Sequence, residues 1–147
     1  MKEMITPRLI LRPYTNGDFD ALHKILSDKT TMSFWPEPFT KEQTKSWIER
    51  SIKSYEENNF GRLAVILKST GKLIGDCGII RSEIDGVYEN DLGYIIYYKY
   101  WGRGFASEAA KACVDYGFNE LGFTRIAANM DVDNTASIKT AEKISNY

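Results

Sequence analysis

The chain has 147 residues, 43% of them hydrophobic and 27% charged, the balance of a single soluble domain long enough to bury a core without disulfides or a metal. Lys and Arg number 19 against 20 Asp and Glu; a net charge of -1 argues against a nucleic-acid or polyanion binder and against a charge-driven membrane-surface protein. No apolar run approaches the ~20 residues that span a bilayer, and no apolar stretch follows the charges at the N-terminus, so the expected location is the cytoplasm.

Arg8-Leu9-Ile10-Leu11-Arg12 alternates and is expected as a strand ending before Pro13. Asn16-Gly17-Asp18 opens a short helix with Phe19, Leu22, Ile25 and Leu26 on one face. Ser33 to Phe39 contains two prolines and is a loop. Thr40 and Gln43 have the spacing of a capping box, ahead of a helix with Trp47, Ile48, Ile52 and Tyr55 on one stripe. Leu63 to Leu67 and Leu73 to Ile80 are strands joined by the turn at Ser69-Thr70-Gly71-Lys72, an antiparallel hairpin. Asp85-Gly86 turns the chain again, and Asp91 to Tyr98 is the next strand.

Tyr100 to Ala106 then leads into a helix whose apolar face is Ala106, Ala109, Ala110, Cys113, Val114, Gly117, Phe118 and Leu121. Its small residues suit close packing on a sheet, and Gly122 is a natural stop. Arg125 to Val132 is expected as a strand parallel to the one before the helix, and Asp133-Asn134 starts a final helix. The fold class is therefore α/β (α+β): one domain over 1–147, order β-α-α-β-β-β-α-β-α, with a mixed, mostly antiparallel sheet.

Cys77 and Cys113 lie in no CxxC pair and His23 is the single histidine, so no zinc site is expected and a His-dependent nucleophile has only His23 to use. Gly102-Arg103-Gly104-Phe105-Ala106 stands where a strand meets a helix N-terminus. Two readings are open: a tight turn, or a nest whose N–H groups receive a phosphate. A P-loop is excluded, and Ser107 at the third glycine position spoils GxGxxG.

The sequence resembles the GNAT superfamily of acetyl-CoA-dependent N-acetyltransferases, most of all the branch that acetylates ribosomal-protein N-termini. Thr6-Pro7-Arg8-Leu9-Ile10-Leu11-Arg12, Ile74-Gly75-Asp76-Cys77-Gly78, Asp91-Leu92-Gly93-Tyr94, Tyr100 to Ala109 and Asn134-Thr135-Ala136-Ser137 carry the likeness along nearly the whole chain. The acyl-CoA signature falls on Trp101-Gly102-Arg103-Gly104-Phe105-Ala106, with Trp101 in place of Arg or Gln. The resemblance implies pyrophosphate contacts from Gly102, Arg103, Gly104, Phe105, Ala106 and Ser107. It implies main-chain pantetheine contacts from Ile95, Ile96 and Tyr97, in a gap where the strand splays from its parallel neighbour, and a side-chain contact from Asn134.

For chemistry the resemblance implies direct attack in a ternary complex. Asp91, or Glu89 on the same strand face, serves as base or is a solvated strand-end charge. Ser137 stands near the leaving sulfur in the resembling branch, and with Ala141 at the usual place of a tyrosine acid the proton donor is Ser137 or water. The oxyanion donor is a main-chain N–H near Ile95 or Ile96, and Trp35 and Tyr94 line the acceptor side.

The family continues with two more strands where this chain ends at Ser145-Asn146-Tyr147. The expectation is a C-terminally truncated domain, or a homodimer whose partner supplies the edge. The leading acceptor is a protein N-terminal amine, such as that of a ribosomal protein. The alternatives are a small-molecule amine of polyamine or aminoglycoside type, and a non-catalytic acyl-CoA-binding module. No metal, nucleic-acid or membrane partner is expected, and a dinucleotide oxidoreductase is a distant third.

Overall fold

The centre of the sheet is a long hairpin built on a two-residue turn. Asp85 and Gly86 both take positive φ, 52° and 79°, the geometry of a type I′ turn whose twist matches the flanking strands. In the computed structural model, which describes residues 1–128, this turn joins β4 (Lys72–Ile84) to β5 (Val87–Ile96) in unbroken antiparallel register. With β1 (Met4–Ile5), β2 (Leu9–Arg12), β3 (Arg62–Leu67) and β6 (Ala127–Ala128) the described residues make one six-stranded sheet in chain order. Neighbours are antiparallel from β1 to β5, and β6 runs parallel to β5 through Asp91 opposite Ala127 and Leu92 opposite Ala128. The expected splay beyond this pairing, and the final helix, lie outside the described residues.

Helices α1 (Phe19–Leu26) and α2 (Lys41–Asn58) cover one face of the sheet, and α3 (Phe105–Asn119) covers the other. Strand alternation divides the core accordingly. Leu63 and Val65 pack toward α3 with Leu9, Leu11, Cys77, Ile79 and Leu92, while Ala64, Ile66 and Ile95 pack toward α1 and α2. The capping box forms as expected: Gln43 N–H donates to Thr40 Oγ1 at 3.2 Å, and Thr40 N–H to Gln43 Oε1 at 2.8 Å. The small residues of α3 bring it close to the sheet, since a Cβ on Gly117 would stand 2.8 Å from Ile126 Cδ1 and 3.1 Å from Ile79 Cδ1. This contact places Cys77 and Cys113, remote in sequence, with sulfurs 3.7 Å apart in the buried layer between β4 and α3.

Strand boundaries differ most from expectation in the long hairpin, while β6 begins at Ala127 instead of Arg125. β4 runs four residues past Ile80, and β5 begins at Val87 and ends at Ile96 instead of running from Asp91 to Tyr98. The hairpin tip extends beyond the core, so its polar residues (Glu83, Glu89, Asn90) are held by ladder hydrogen bonds and not by burial. At the other end, Tyr98–Tyr100 closes into a single 3-10 turn. The two-residue β1 was not anticipated.

A buried ion pair crosses the α1/α2 face. Arg62 Nε donates to Asp76 Oδ1 at 2.5 Å, and both side chains are almost wholly shielded from solvent. Arg62 lies across Gly78 and Gly93, which are register partners. A Cβ on Gly78 would sit 2.6 Å from Arg62 Cα, and one on Gly93 would sit 1.9 Å from Arg62 Nη1. Gly93 leaves the space into which the guanidinium fits, and Gly78 lets the β3 backbone approach.

Candidate active site

The end of β5, the 3-10 turn and the start of α3 enclose a cleft of about 390 Å³, within the range of small-molecule sites. Gly102 and Gly104 adopt φ of 76° and 80°, the left-handed region that side chains disfavour. Gly104 caps α3 without a side-chain hydrogen bond, and a Cβ on Gly102 would meet no atom within 4 Å. The first turn of α3 is thus presented across an open surface of bare backbone, which fits the approach of a phosphate to the helix N-terminus. A larger open groove of about 1150 Å³ lies between the N-terminal strands and α3. Glu3, Glu108, Asp115 and Glu120 line it against Lys2 and Lys111, the wrong charge balance for a pyrophosphate.

The glycine loop is held in place by residues just ahead of β2. Arg8 Nη1 donates to Arg103 C=O at 2.8 Å, and Arg8 Nε to Glu108 Oε1 at 2.7 Å, with the guanidinium 4.3 Å above the Phe105 ring. Glu108 Oε2 also accepts from Thr6 Oγ1 at 2.5 Å and from Arg8 N–H at 2.8 Å. Burial would raise the Glu108 carboxyl, but these donors together hold it below the usual carboxylate range.

Of the residues expected at this site, Trp35, Tyr94, Ile95, Ile96, Gly102, Gly104, Phe105, Ala106 and Ser107 line the cleft. Thr31 and Phe34 join them without having been anticipated, and Tyr100 and Trp101, from the tract that carries the acyl-CoA signature, complete the lining. Arg103 is not among the cleft-lining residues, and its guanidinium stands 5.7 Å over the Tyr100 ring. Tyr97 packs on the α1/α2 side, and its N–H already donates to Ile74 C=O at 2.9 Å. That bond also fixes the ladder phase. Odd-numbered residues of β5 exchange main-chain bonds with β4, and even-numbered ones direct theirs away from it. The expectation of three main-chain contacts therefore narrows to Ile96, whose C=O accepts from Trp101 Nε1 at 2.7 Å.

Asp91 lies four residues up β5 from Ile95, about 13 Å along an extended strand, and is not among the cleft-lining residues. It shares the α1/α2 face of β5 and accepts from Ser82 Oγ at 2.5 Å. Glu89 stands 3.7 Å from Arg125 Nε. Asn134 and Ser137 lie outside the described residues.

The family model for the acetyltransferase (GNAT) domain matches residues 8–145. The chain belongs to the GNAT acetyltransferase family. The N-acetyltransferase p20 of Bacillus licheniformis is 35% identical over 150 residues, which cover 99% of this chain and 82% of the relative. Spermidine N(1)-acetyltransferase of Vibrio cholerae is 25% identical over 138 residues, 92% of this chain and 77% of the relative. The crystal structure of an acetyltransferase from Agrobacterium tumefaciens str. C58 superposes with a TM-score of 0.86 at 28% identity, covering 98% of this chain and 82% of that one. This GNAT protein is accordingly an N-acetyltransferase that takes its acetyl group from acetyl-CoA, and the cradle at Gly102 to Ser107 fits the pyrophosphate of that donor.

Sequence reasoning missed two pairs around the GNAT site, Arg8 with Glu108 and Arg62 with Asp76. The second had a signal: single opposite charges inside apolar strands, at Arg62-Leu63-Ala64-Val65 and Ile74-Gly75-Asp76-Cys77, have to find each other or neutralise. The first had none, because its partners are about a hundred residues apart and each alone is an ordinary surface charge.

Proposed function

We propose that the acceptor of this acetyltransferase is a protein N-terminal α-amine. The observation that carries this is the character of the cleft: its described walls are aromatic, aliphatic or glycine, with hydroxyls from Thr31 and Ser107, and no carboxylate lines it. The nearby acidic groups on the acceptor face are engaged: Asp76 with Arg62, Glu89 with Arg125 and Asp91 with Ser82. A polyamine carries several ammonium charges and needs acidic lining. A peptide N-terminus carries one, with a pKa near 8 that leaves an appreciable neutral fraction at pH 7. The likeness to spermidine N(1)-acetyltransferase favours the polyamine as the second reading. Paired assays with a short Ala- or Ser-started peptide and with spermidine separate the two. The expected result is a kcat/KM at least tenfold higher for the peptide; the reverse order establishes the polyamine reading.

In this proposal acetyl-CoA lies with its pyrophosphate on the first turn of α3 and its pantetheine arm beside Ile96. Asn134 contacts the arm and Ser137 assists the departing thiolate, roles that rest on the family resemblance. The neutral amine attacks the thioester carbon, the C–S bond breaks, and the ammonium proton leaves along a chain of waters toward Asp91, the carboxylate further up the strand. Asp91→Asn is then expected to lower turnover most at low pH and to recover partly as pH rises, since more acceptor is already neutral. A rate–pH profile matching the wild type would remove Asp91 as the base.

A further inference from the structure

Asp76, on β4, has no exposed surface and takes no part in the reaction described above. Beyond Arg62, its Oδ2 accepts from Tyr14 OH at 2.5 Å and from Trp47 Nε1 at 2.8 Å. Arg62 and Tyr14 tie the carboxylate into the sheet and its flanking loop. Trp47 instead carries its influence outward along α2.

The Trp47 ring meets Trp35 edge-on at 6.2 Å and Phe39 at 5.5 Å, and Trp35 and Phe39 meet each other at 5.5 Å. Arg62 covers the Trp47 ring at 4.9 Å, so the indole is fixed by its N–H at one point and by its face at another. Trp35, at the far end of this three-ring cluster, is 38% exposed and lines the cleft. The bond from Trp47 Nε1 to Asp76 ties the indole ring of this cluster to the buried carboxylate. Edge-on aromatic contacts are directional, so the angle of one ring constrains the next.

We propose that Asp76 is a positioning residue for acceptor recognition: through Trp47 it sets the angle of Trp35 at the mouth of the cleft. The inference rests on the reading of Trp35 as an acceptor-side wall, and it holds whichever amine is the substrate. Loss of the Trp47 bond lets Trp35 swing, which weakens acceptor binding and leaves the donor site at Gly102 to Ser107 untouched.

The test is a double-mutant cycle in acceptor KM, run with whichever amine the paired assays show to be acetylated. Trp47→Phe keeps an aromatic ring and the Arg62–Asp76 pair, and removes the N–H together with the five-membered part of the indole. Asp76→Asn is the second probe, read only if its melting curve stays cooperative. Trp47→Phe and Trp35→Ala are each expected to raise acceptor KM at least fivefold, with the KM for acetyl-CoA changed less than twofold. The double variant is expected to match Trp35→Ala alone, because Trp47 acts through Trp35. Multiplying effects in the double variant would overturn the proposal, as would a wild-type acceptor KM in either single variant. Equal losses in both KM values would identify the cluster as a purely structural element. Preference for spermidine over peptide would overturn the proposed acceptor without touching this cycle.

Discussion

Gly104→Val is expected to lower the affinity for CoA at least tenfold, about 1.4 kcal/mol, in a protein that remains folded. Two effects act together. The backbone at Gly104 has φ of 80°, where a non-glycine residue costs on the order of 1–2 kcal/mol and a β-branched one more. Relief of that strain moves the loop and with it the N–H groups that converge on the pyrophosphate. A Cβ there also lies 3.4 Å from Arg8 Nη2, so the added methyls push on the guanidinium that braces Arg103. Titration calorimetry with CoA, beside a thermal melt, checks both halves of the expectation. Unchanged affinity in a folded variant would remove the pyrophosphate-loop reading.

Gly93→Ala, a single added methyl, is expected to destabilise the protein by about 1–3 kcal/mol, the cost of overpacking a filled site beside a buried ion pair. The methyl would stand 1.9 Å from Arg62 Nη1, so the guanidinium has to leave its place between the strands. The bond from Arg62 Nε to Asp76 is strained, while Tyr14 and Trp47 still donate to the buried carboxylate. A typical domain has about 5–15 kcal/mol in all, so the urea midpoint is expected to fall measurably. A loss below about 1 kcal/mol would mean that Arg62 steps aside at little cost and that the pair does not hold the sheet together.

Much of the architecture was legible because it depends on local pattern. The apolar stripe of α3, the Thr40–Gln43 capping box and the antiparallel strands flanking Gly71 are short-range features, and the structure contains each of them. The turn at Asp85-Gly86 was legible, but the strand ends beside it were not, since Arg81 to Asn90 lacks the apolar alternation that a core selects. The cleft was readable from the glycine loop and its likeness to acyl-CoA motifs. Its main-chain geometry was less so. Ile95, Ile96 and Tyr97 are consecutive, and alternation forbids all three from facing one way. Contacts such as Arg8 to Glu108 or Cys77 to Cys113 arise only when β2 and β4 meet α3, and no window of sequence contains both partners.

The most direct test of the account is a crystal structure of the protein with acetyl-CoA bound. The account predicts the pyrophosphate within hydrogen-bond distance of the N–H groups between Arg103 and Ser107, and the pantetheine arm along β5 at Ile96 with its thioester directed toward Tyr94. A donor seated in the groove between the N-terminal strands and α3, or one whose pyrophosphate makes no contact with the Gly102–Ser107 backbone, would contradict it.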